Sequence, residues 1–151
     1  MVSQQNPVRL FVSHAWQADD DYQRVFEYLE SSRNFFYVNY STPDKPPSGD
    51  KEAMKEDLRK QIFPAEAVII LSSQYRKHSD LIEFQANYAK ACDKPVILLV
   101  SFGSTSAISK TLQGLADEVV DWDERGLVDA IKRQARHEET TRWDTIEFKL
   151  D

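Results

Sequence analysis

Two short, wholly apolar runs separated by an amphipathic segment constrain the fold of this chain most strongly. Residues 67–71 have the sequence AVIIL and residues 95–100 have the sequence PVILLV, so neither run carries a polar face. Strands that are apolar on both faces are typical of the centre of a parallel sheet, where helices cover both sides. The segment between them, about residues 80–92, has its apolar residues at helical spacing. Together these segments predict a β-α-β unit and an α/β fold.

The rest of the chain continues the alternation of strands and amphipathic helices. Its further predicted strands cover residues 8–13, 35–38 and 118–121, and its further helices cover about residues 19–32, 50–62 and 123–136, with a short segment near 106–114. Pro-rich residues 41–50 form a loop, because proline fits neither a helix interior nor a central strand. We therefore predict a flavodoxin-like three-layer sandwich with five parallel strands in the order 2-1-3-4-5.

The last residues of the chain follow a different pattern. Apolar residues partly alternate with polar ones at Trp143, Ile146, Phe148 and Leu150. Such alternation is typical of a strand at the edge of a sheet. We predict one domain over residues 1–136 and a C-terminal extension, residues 137–151, that packs on the domain or at a subunit contact.

Composition limits the compartment and the partners. The net charge is −6 and no more than two basic residues are adjacent, which argues against nucleic-acid binding. No apolar run approaches the ~20 residues needed to span a bilayer, and the N-terminal residues lack the features of a signal peptide. The single cysteine, Cys92, excludes an internal disulfide. We expect a cytoplasmic protein that binds neither nucleic acid nor membranes.

Candidate site residues follow the first and third predicted strands. Ser13, His14 and Trp16 come after the first strand, while Ser79 and Glu83 come after the third. In open α/β sheets, ligands bind at the carboxyl ends of the strands, so these side chains are expected to meet there. Trp16 either stacks on a ligand or packs within its loop. For Glu83 two interpretations stay open, namely a catalytic carboxylate and the partner of Asp80 in a helix capping box.

Several common chemistries lack their motifs here. The chain has no glycine-rich dinucleotide or phosphate loop and no Gly-x-Ser-x-Gly nucleophile motif. The positions that hold acids in response-regulator receivers hold Ser13 and residues 71–73. The three histidines are not spaced as metal ligands, so no metal site is expected.

The chain resembles the TIR-like domains of bacteria and archaea, in the branch that includes the TIR subunit of Thoeris anti-phage defence. The resemblance covers about residues 8–136 and is specific as an ordered set of segments. These segments are LFVSHAW at 10–16, STPDKP at 41–46, QI at 61–62, AVIILSSQY at 67–75, SDLIEF at 79–84, Ala89 with KPVI at 94–97, and VVDWD at 119–123.

The resemblance implies an enzyme that cleaves the nicotinamide–ribose bond of NAD, which is then a substrate and not a cofactor. By its motif, Glu83 is the catalytic carboxylate. The residues expected to shape the NAD pocket are Ser13, His14, Trp16, Asp44 and Ser79. The implied product is a cyclic or modified ADP-ribose that activates a separate effector protein. Further expected partners are other copies of the chain and a phage protein that triggers activity.

One departure from the family pattern supports an alternative. Leu81 stands where the family usually has an aromatic residue, commonly Trp, two residues before the glutamate. This favours a non-catalytic interaction module that binds through the loop around Pro43 and the helix face around Phe84, unless a neighbouring loop covers Phe84. A third interpretation is a nucleoside-processing transferase, which predicts turnover of deoxynucleosides and none of NAD.

Overall fold

The computed structural model describes residues 2–103 and 108–138. The strands are β1 (Val8–Val12), β2 (Tyr37–Asn39), β3 (Ala67–Leu71), β4 (Val96–Leu99) and β5 (Glu118–Val120). The helices are α1 (Asp20–Glu30), α2 (Lys51–Ile62), α3 (Tyr75–Ala91), α4 (Lys110–Leu115) and α5 (Glu124–Arg136), and a 3-10 turn (Ser72–Gln74) joins β3 to α3. The edge strand, or segment that packs elsewhere, expected around Trp143 lies outside the described residues, so the domain boundary stays a prediction.

All five strands form one parallel sheet in the order β2-β1-β3-β4-β5, which confirms the predicted topology. The chain reverses its direction of travel across the sheet between β1 and β3, which pair with each other. Crevices at such a reversal are where doubly wound sheets bind ligands. The loops that follow β1 and β3 are therefore the candidate ligand-binding region.

The core is divided between the two faces of the sheet. Because successive strand residues point to opposite faces, Ile69 packs with α1 and α5, while Val68 and Ile70 pack with α2, α3 and α4. Every residue of β3 is buried. Fully burying one such aliphatic side chain contributes about 1.5–3 kcal/mol. The three-layer sandwich predicted from the apolar runs is therefore confirmed.

Aspartates cap three of the helices. The side chains of Asp19, Asp50 and Asp123 accept hydrogen bonds from the first-turn amides of α1, α2 and α5. Each aspartate was expected to begin its helix and instead lies one residue before it. A carboxylate in this position satisfies a free backbone N–H and complements the positive end of the helix dipole.

The start of α3 differs from the prediction. The helix begins at Tyr75 and contains a kink at His78, whose φ and ψ are −133° and 42°. Asp80 lies beyond this kink and pairs with Lys51 at 2.9 Å. The capping-box interpretation of Asp80 and Glu83 is therefore wrong. The sequence after the kink resembles a helix start, which explains the error. Among the described helices, none is long and apolar enough to cross a membrane.

Candidate active site at the carboxyl edge of the sheet

Ser13 joins the end of β1 to the turn after β3. It is completely buried, and its hydroxyl donates to Gln74 Oε1 at 2.6 Å. Ser13 Oγ also accepts the backbone N–H of Leu71 at 2.8 Å, and Gln74 Nε2 donates to the Ser13 carbonyl at 2.9 Å. The polar atoms of Ser13 are therefore engaged by the protein itself.

His14 is the centre of a buried polar network. Its Nε2 lies 2.8 Å from Gln61 Oε1, and its Nδ1 accepts the backbone N–H of Trp16 at 3.3 Å. Gln85 on α3 holds the His14 backbone. Gln85 Nε2 donates to the His14 carbonyl at 2.8 Å, and Gln85 Oε1 accepts the His14 N–H at 3.2 Å. Helices α2 and α3 thus both hold the residue that follows β1.

Burial sets the protonation state of His14. Its pKa lies below the usual value of 6.5, chiefly because desolvation disfavours the imidazolium. The hydrogen bond to Gln61 and the negative charges of Asp57 and Asp44 oppose this effect. The balance favours a neutral ring near pH 7.

Trp16 combines two unusual features. Its φ is 56°, in the left-handed region that bulky residues rarely adopt, at a cost of about 1–3 kcal/mol. Its indole Nε1 is buried and has no hydrogen-bond partner within the described part of the chain. The ring packs edge-to-face on His14, with 4.9 Å between ring centroids. Strain and an unsatisfied donor in one residue mark it as a functional candidate.

Asp44 lies on the loop between β2 and α2, residues 40–50, which we call the β2–α2 loop. Its side chain is exposed, yet it is near enough to raise the pKa of both His14 and Tyr22 by its charge. The backbone N–H of Thr42 in the same loop donates to Gln61 Oε1 at 2.9 Å. The β2–α2 loop therefore meets the His14 network at Gln61.

Glu83 is half-buried on α3 and is held by a neighbour on the same helix. Its Oε2 accepts the hydroxyl of Tyr75 at 3.0 Å. Ser79 is half-buried one turn before Glu83, directly after the kink. Gln85 reaches His14 from a position two residues after Glu83, and side chains two apart point to nearly opposite sides of a helix. The Glu83 carboxylate therefore belongs to a different face of α3.

Ser13, His14 and Trp16 thus form one connected group, and Asp44 adjoins it. Glu83 and Ser79 lie together on α3, apart from that group. The aromatic ring of Tyr75 links the two parts, because it packs against the same apolar cluster as Trp16 while its hydroxyl holds Glu83.

An open cleft of about 360 Å³ lies beside the start of α1, at the carboxyl ends of β1, β3 and β4. Its volume is within the range of small-molecule sites. Ala15, Gln17, Asp20, His78 and Phe102 are among the residues that line it. None of the six predicted site residues lines this cleft, although Ala15 and Gln17 flank Trp16 and His78 precedes Ser79.

Three buried glutamines near the end of β1, Gln61, Gln74 and Gln85, were not predicted as site residues. Each is at most 6% exposed. A signal was present for two of them, since Gln85 falls among the apolar positions of α3 and Gln61 falls beside Ile62. A polar residue within an apolar helix stripe indicates a buried hydrogen-bonding role. Within the described residues, no cluster of histidine, cysteine or carboxylate side chains is arranged to hold a metal ion.

Comparison with known proteins identifies the family. The family described as "Thoeris protein ThsB, TIR-like domain" matches residues 11–106. No curated protein matches the sequence. Among solved structures, the Clostridium botulinum CMP N-glycosidase BcmB is similar, with a TM-score of 0.47 and 15% identity over 82% of this chain and 97% of that chain. This distant likeness carries no conclusion about activity. Because the family match spans more than half of the chain, the protein belongs to the Thoeris ThsB TIR-like domain family.

Proposed function

We propose that this protein cleaves the nicotinamide–ribose bond of NAD and makes a cyclic or modified ADP-ribose signal in anti-phage defence. Membership of the ThsB TIR-like family supports the defence context. The observation that carries the enzyme assignment is the half-buried Glu83 carboxylate, which follows β3 and accepts the Tyr75 hydroxyl at 3.0 Å.

The chemistry needs a fixed negative group near the ribose. As the glycosidic bond breaks, its electron pair moves to the pyridinium nitrogen, which becomes neutral, and positive charge develops on the sugar. A nucleophile, either water or a group of the same nucleotide, then bonds to that sugar carbon and a proton is released. A carboxylate already in place stabilises that oxocarbenium-like state without reorganising. Tyr75 restrains one carboxylate oxygen of Glu83, and the other has no hydrogen-bond partner among the described residues. We assign this second oxygen to the ribose.

The remaining predicted residues receive different roles in this proposal. Trp16 offers a ring face to the substrate, and Asp44 and Ser79 supply polar groups. Ser13 and His14 act by holding the loop after β1, because the protein already engages their polar side-chain atoms. The cleft beside α1 receives part of the dinucleotide, since it lies at the strand ends. The effector protein then responds to the released product.

The alternative is a non-catalytic interaction module. Leu81 in place of an aromatic residue and the exposed residues 44–46 of the β2–α2 loop favour it. Phe84 favours it less, because it is half-buried and stacks on Tyr88 with 6.1 Å between ring centroids. The cations of Lys55 and Arg59 on α2 lie 5.4 and 5.2 Å from the Phe84 ring centroid. Side chains of a helix, and not a loop, therefore cover this aromatic.

A turnover assay separates the three interpretations. The full chain, at a series of protein concentrations, is incubated with NAD or with deoxynucleosides, and released base is measured by chromatography. We expect nicotinamide from the wild type and from the control Asp80→Asn, which alters an exposed residue of the same helix. Glu83→Gln should lose activity by about 100-fold or more. Deoxynucleoside turnover alone would support the transferase, and no turnover even in lysates of infected cells would support the interaction module.

A further inference from the structure

The Gln61 side chain joins three parts of the molecule at a buried point. Its Oε1 accepts the Thr42 backbone N–H at 2.9 Å and lies 2.8 Å from His14 Nε2. Its Nε2 donates to Asp57 Oδ2 at 2.7 Å, one turn earlier on α2. Gln61 is 6% exposed, so water contributes little to these bonds. One amide therefore connects the β2–α2 loop, helix α2 and the residue after β1.

Two backbone donors define the tautomer of His14. A backbone N–H can only donate, so the Gln61 atom facing Thr42 must be the carbonyl oxygen. That oxygen can only accept, so His14 Nε2 carries a proton and donates it. The Trp16 N–H points at Nδ1, which must therefore be unprotonated. His14 is thus the neutral Nε2–H tautomer, and it bridges Gln61 to Trp16.

We propose that Gln61 is a positioning residue that holds His14 in its Nε2–H tautomer and thereby fastens the β2–α2 loop to the strained backbone of Trp16. The consequence for substrate rests on the proposed function, because Trp16 and Asp44 are assigned there to the NAD pocket. The loop after β1 and the β2–α2 loop then present Trp16 and Asp44 as one unit. Removing the Gln61 amide frees the Thr42 N–H and the His14 ring together.

Acid should open this connection. A proton on Nδ1 would place two donors, the ring N–H and the Trp16 N–H, against each other across 3.3 Å. Asp57 from α2 and Asp44 from the β2–α2 loop are the charged groups that act on the ring. The neutral groups around the ring are the Gln61 amide from α2 and the rings of Tyr22, Phe11 and Trp16, while Gln85 from α3 bonds the His14 backbone. Burial, which lowers the pKa of His14, outweighs the two carboxylates.

Nitrogen-15 NMR of the histidine rings tests the assignment directly. We expect the wild type to show His14 with an unprotonated Nδ1 and a protonated Nε2 at pH 7. Gln61→Met keeps the length of the side chain and removes its polar atoms, so it should give a mixture of tautomers and shift the Trp16 amide signal. Gln74→Met is the matched control, because Gln74 is equally buried but bonds Ser13. A wild-type His14 spectrum in Gln61→Met would overturn the proposal.

A second variant keeps the test decisive if Gln61→Met does not fold. Gln61→Glu retains an acceptor for Thr42 and His14 but adds a negative charge beside the ring. We expect the protonation midpoint of His14 to rise by about one pH unit or more. An unchanged midpoint would show that the side chain at position 61 does not control His14, and would overturn the proposal.

Kinetics separate a positioning role from a purely structural one. Gln61→Met should raise KM for NAD about tenfold and change kcat less, because Glu83 lies on a different face of α3. An unchanged KM in an active enzyme would reject the positioning role. If the wild type cleaves no NAD, the proposed function fails, while the NMR result still decides whether Gln61 sets the His14 tautomer.

Discussion

The hydroxyl of Tyr75 donates a 3.0 Å hydrogen bond to Oε2 of Glu83, and both residues belong to α3. This pair spans the kink at His78, so the first turn of the helix reaches forward to the carboxylate. A kinked start and a hydroxyl at its first position thus restrain the residue proposed to act on the ribose.

Removing this hydroxyl should reduce catalysis without unfolding the protein. A hydrogen bond to a charged group contributes about 1.5–3 kcal/mol, so Tyr75→Phe should lower kcat for NAD by about tenfold or more while the ring keeps its packing. Tyr88→Phe on the same helix is the control, with kcat and thermal stability measured for both. Equal effects of the two substitutions would contradict a specific role for Tyr75.

Replacing Trp16 by phenylalanine should affect the stability of the fold and the binding of NAD differently. Trp16→Phe removes a buried donor that lacks a partner among the described residues, which offsets part of the packing lost with the smaller ring, so it should destabilise less than Trp122→Phe. KM for NAD should rise, because phenylalanine offers the substrate a smaller ring face. Trp122→Phe is the contrast, because Trp122 Nε1 donates to the Val100 carbonyl at 2.6 Å and its loss should destabilise. Urea titrations and steady-state kinetics measure both quantities.

His14 should make the folded state sensitive to acid. Its pKa is lowered from 6.5 on folding, mainly by burial, so the unfolded chain binds a proton at a higher pH than the native protein does. Stability should therefore fall as pH decreases below about 6.5, by at most about 1.4 kcal/mol per pH unit.

The check is the difference in unfolding free energy between the wild type and His14→Gln from pH 7.5 to pH 5. This difference cancels the titration of the other two histidines. It should shrink toward low pH, since only the wild type must bury a group that then prefers to be charged. A constant difference would show that His14 does not titrate differently in the two states.

A half-buried ion pair connects the end of α5 to the residues just before β1 and β3. Arg136 donates through Nε and Nη2 to the two oxygens of Glu66, at 2.5 and 3.0 Å, and to the Pro7 carbonyl at 3.1 Å. Both partners are only 12% exposed. Glu66→Gln removes the hydrogen-bonded counter-charge of the guanidinium and should destabilise by about 1–3 kcal/mol. Asp129→Asn, in the more exposed pair with Arg125, should change stability by less than about 1 kcal/mol.

The same pair adds a second acid-sensitive range. Burial raises the pKa of Glu66. The hydrogen bonds and charges of Arg136 and Arg9 lower it by more than burial raises it, so the pKa lies below 4.5. The stabilisation is therefore present above about pH 4.5 and is lost as pH falls below it. This range lies below that of His14, so the two contributions can be separated in one pH series.

Sequence patterns predicted the strands and most helix starts well, because the signals for these elements are local. The apolar run of β3 and the aspartates at positions 19, 50 and 123 each act within a few residues, and each was assigned within one residue of its observed position. The start of α3 was misjudged because the Ser-Asp pair after the kink has the composition of a helix cap.

The hydrogen-bond partners in the buried network could not be predicted, because they are far apart in the chain. Gln61 and Gln85 meet His14 across 47 and 71 residues, and Gln74 meets Ser13 across 61 residues. No local pattern encodes such pairs. The strained backbone of Trp16 has the same origin, since His14, whose ring receives the Trp16 N–H, is held at its ring from α2 and at its backbone from α3.

The most direct measurement is mass spectrometry of small molecules from phage-infected and uninfected cells that express either the wild type or Glu83→Gln. We expect an ADP-ribose-derived product that forms on infection with the wild type and is lost in the Gln variant, while Asp80→Asn retains it. Protection against phage by both proteins without any such product would contradict NAD cleavage and would favour the interaction module.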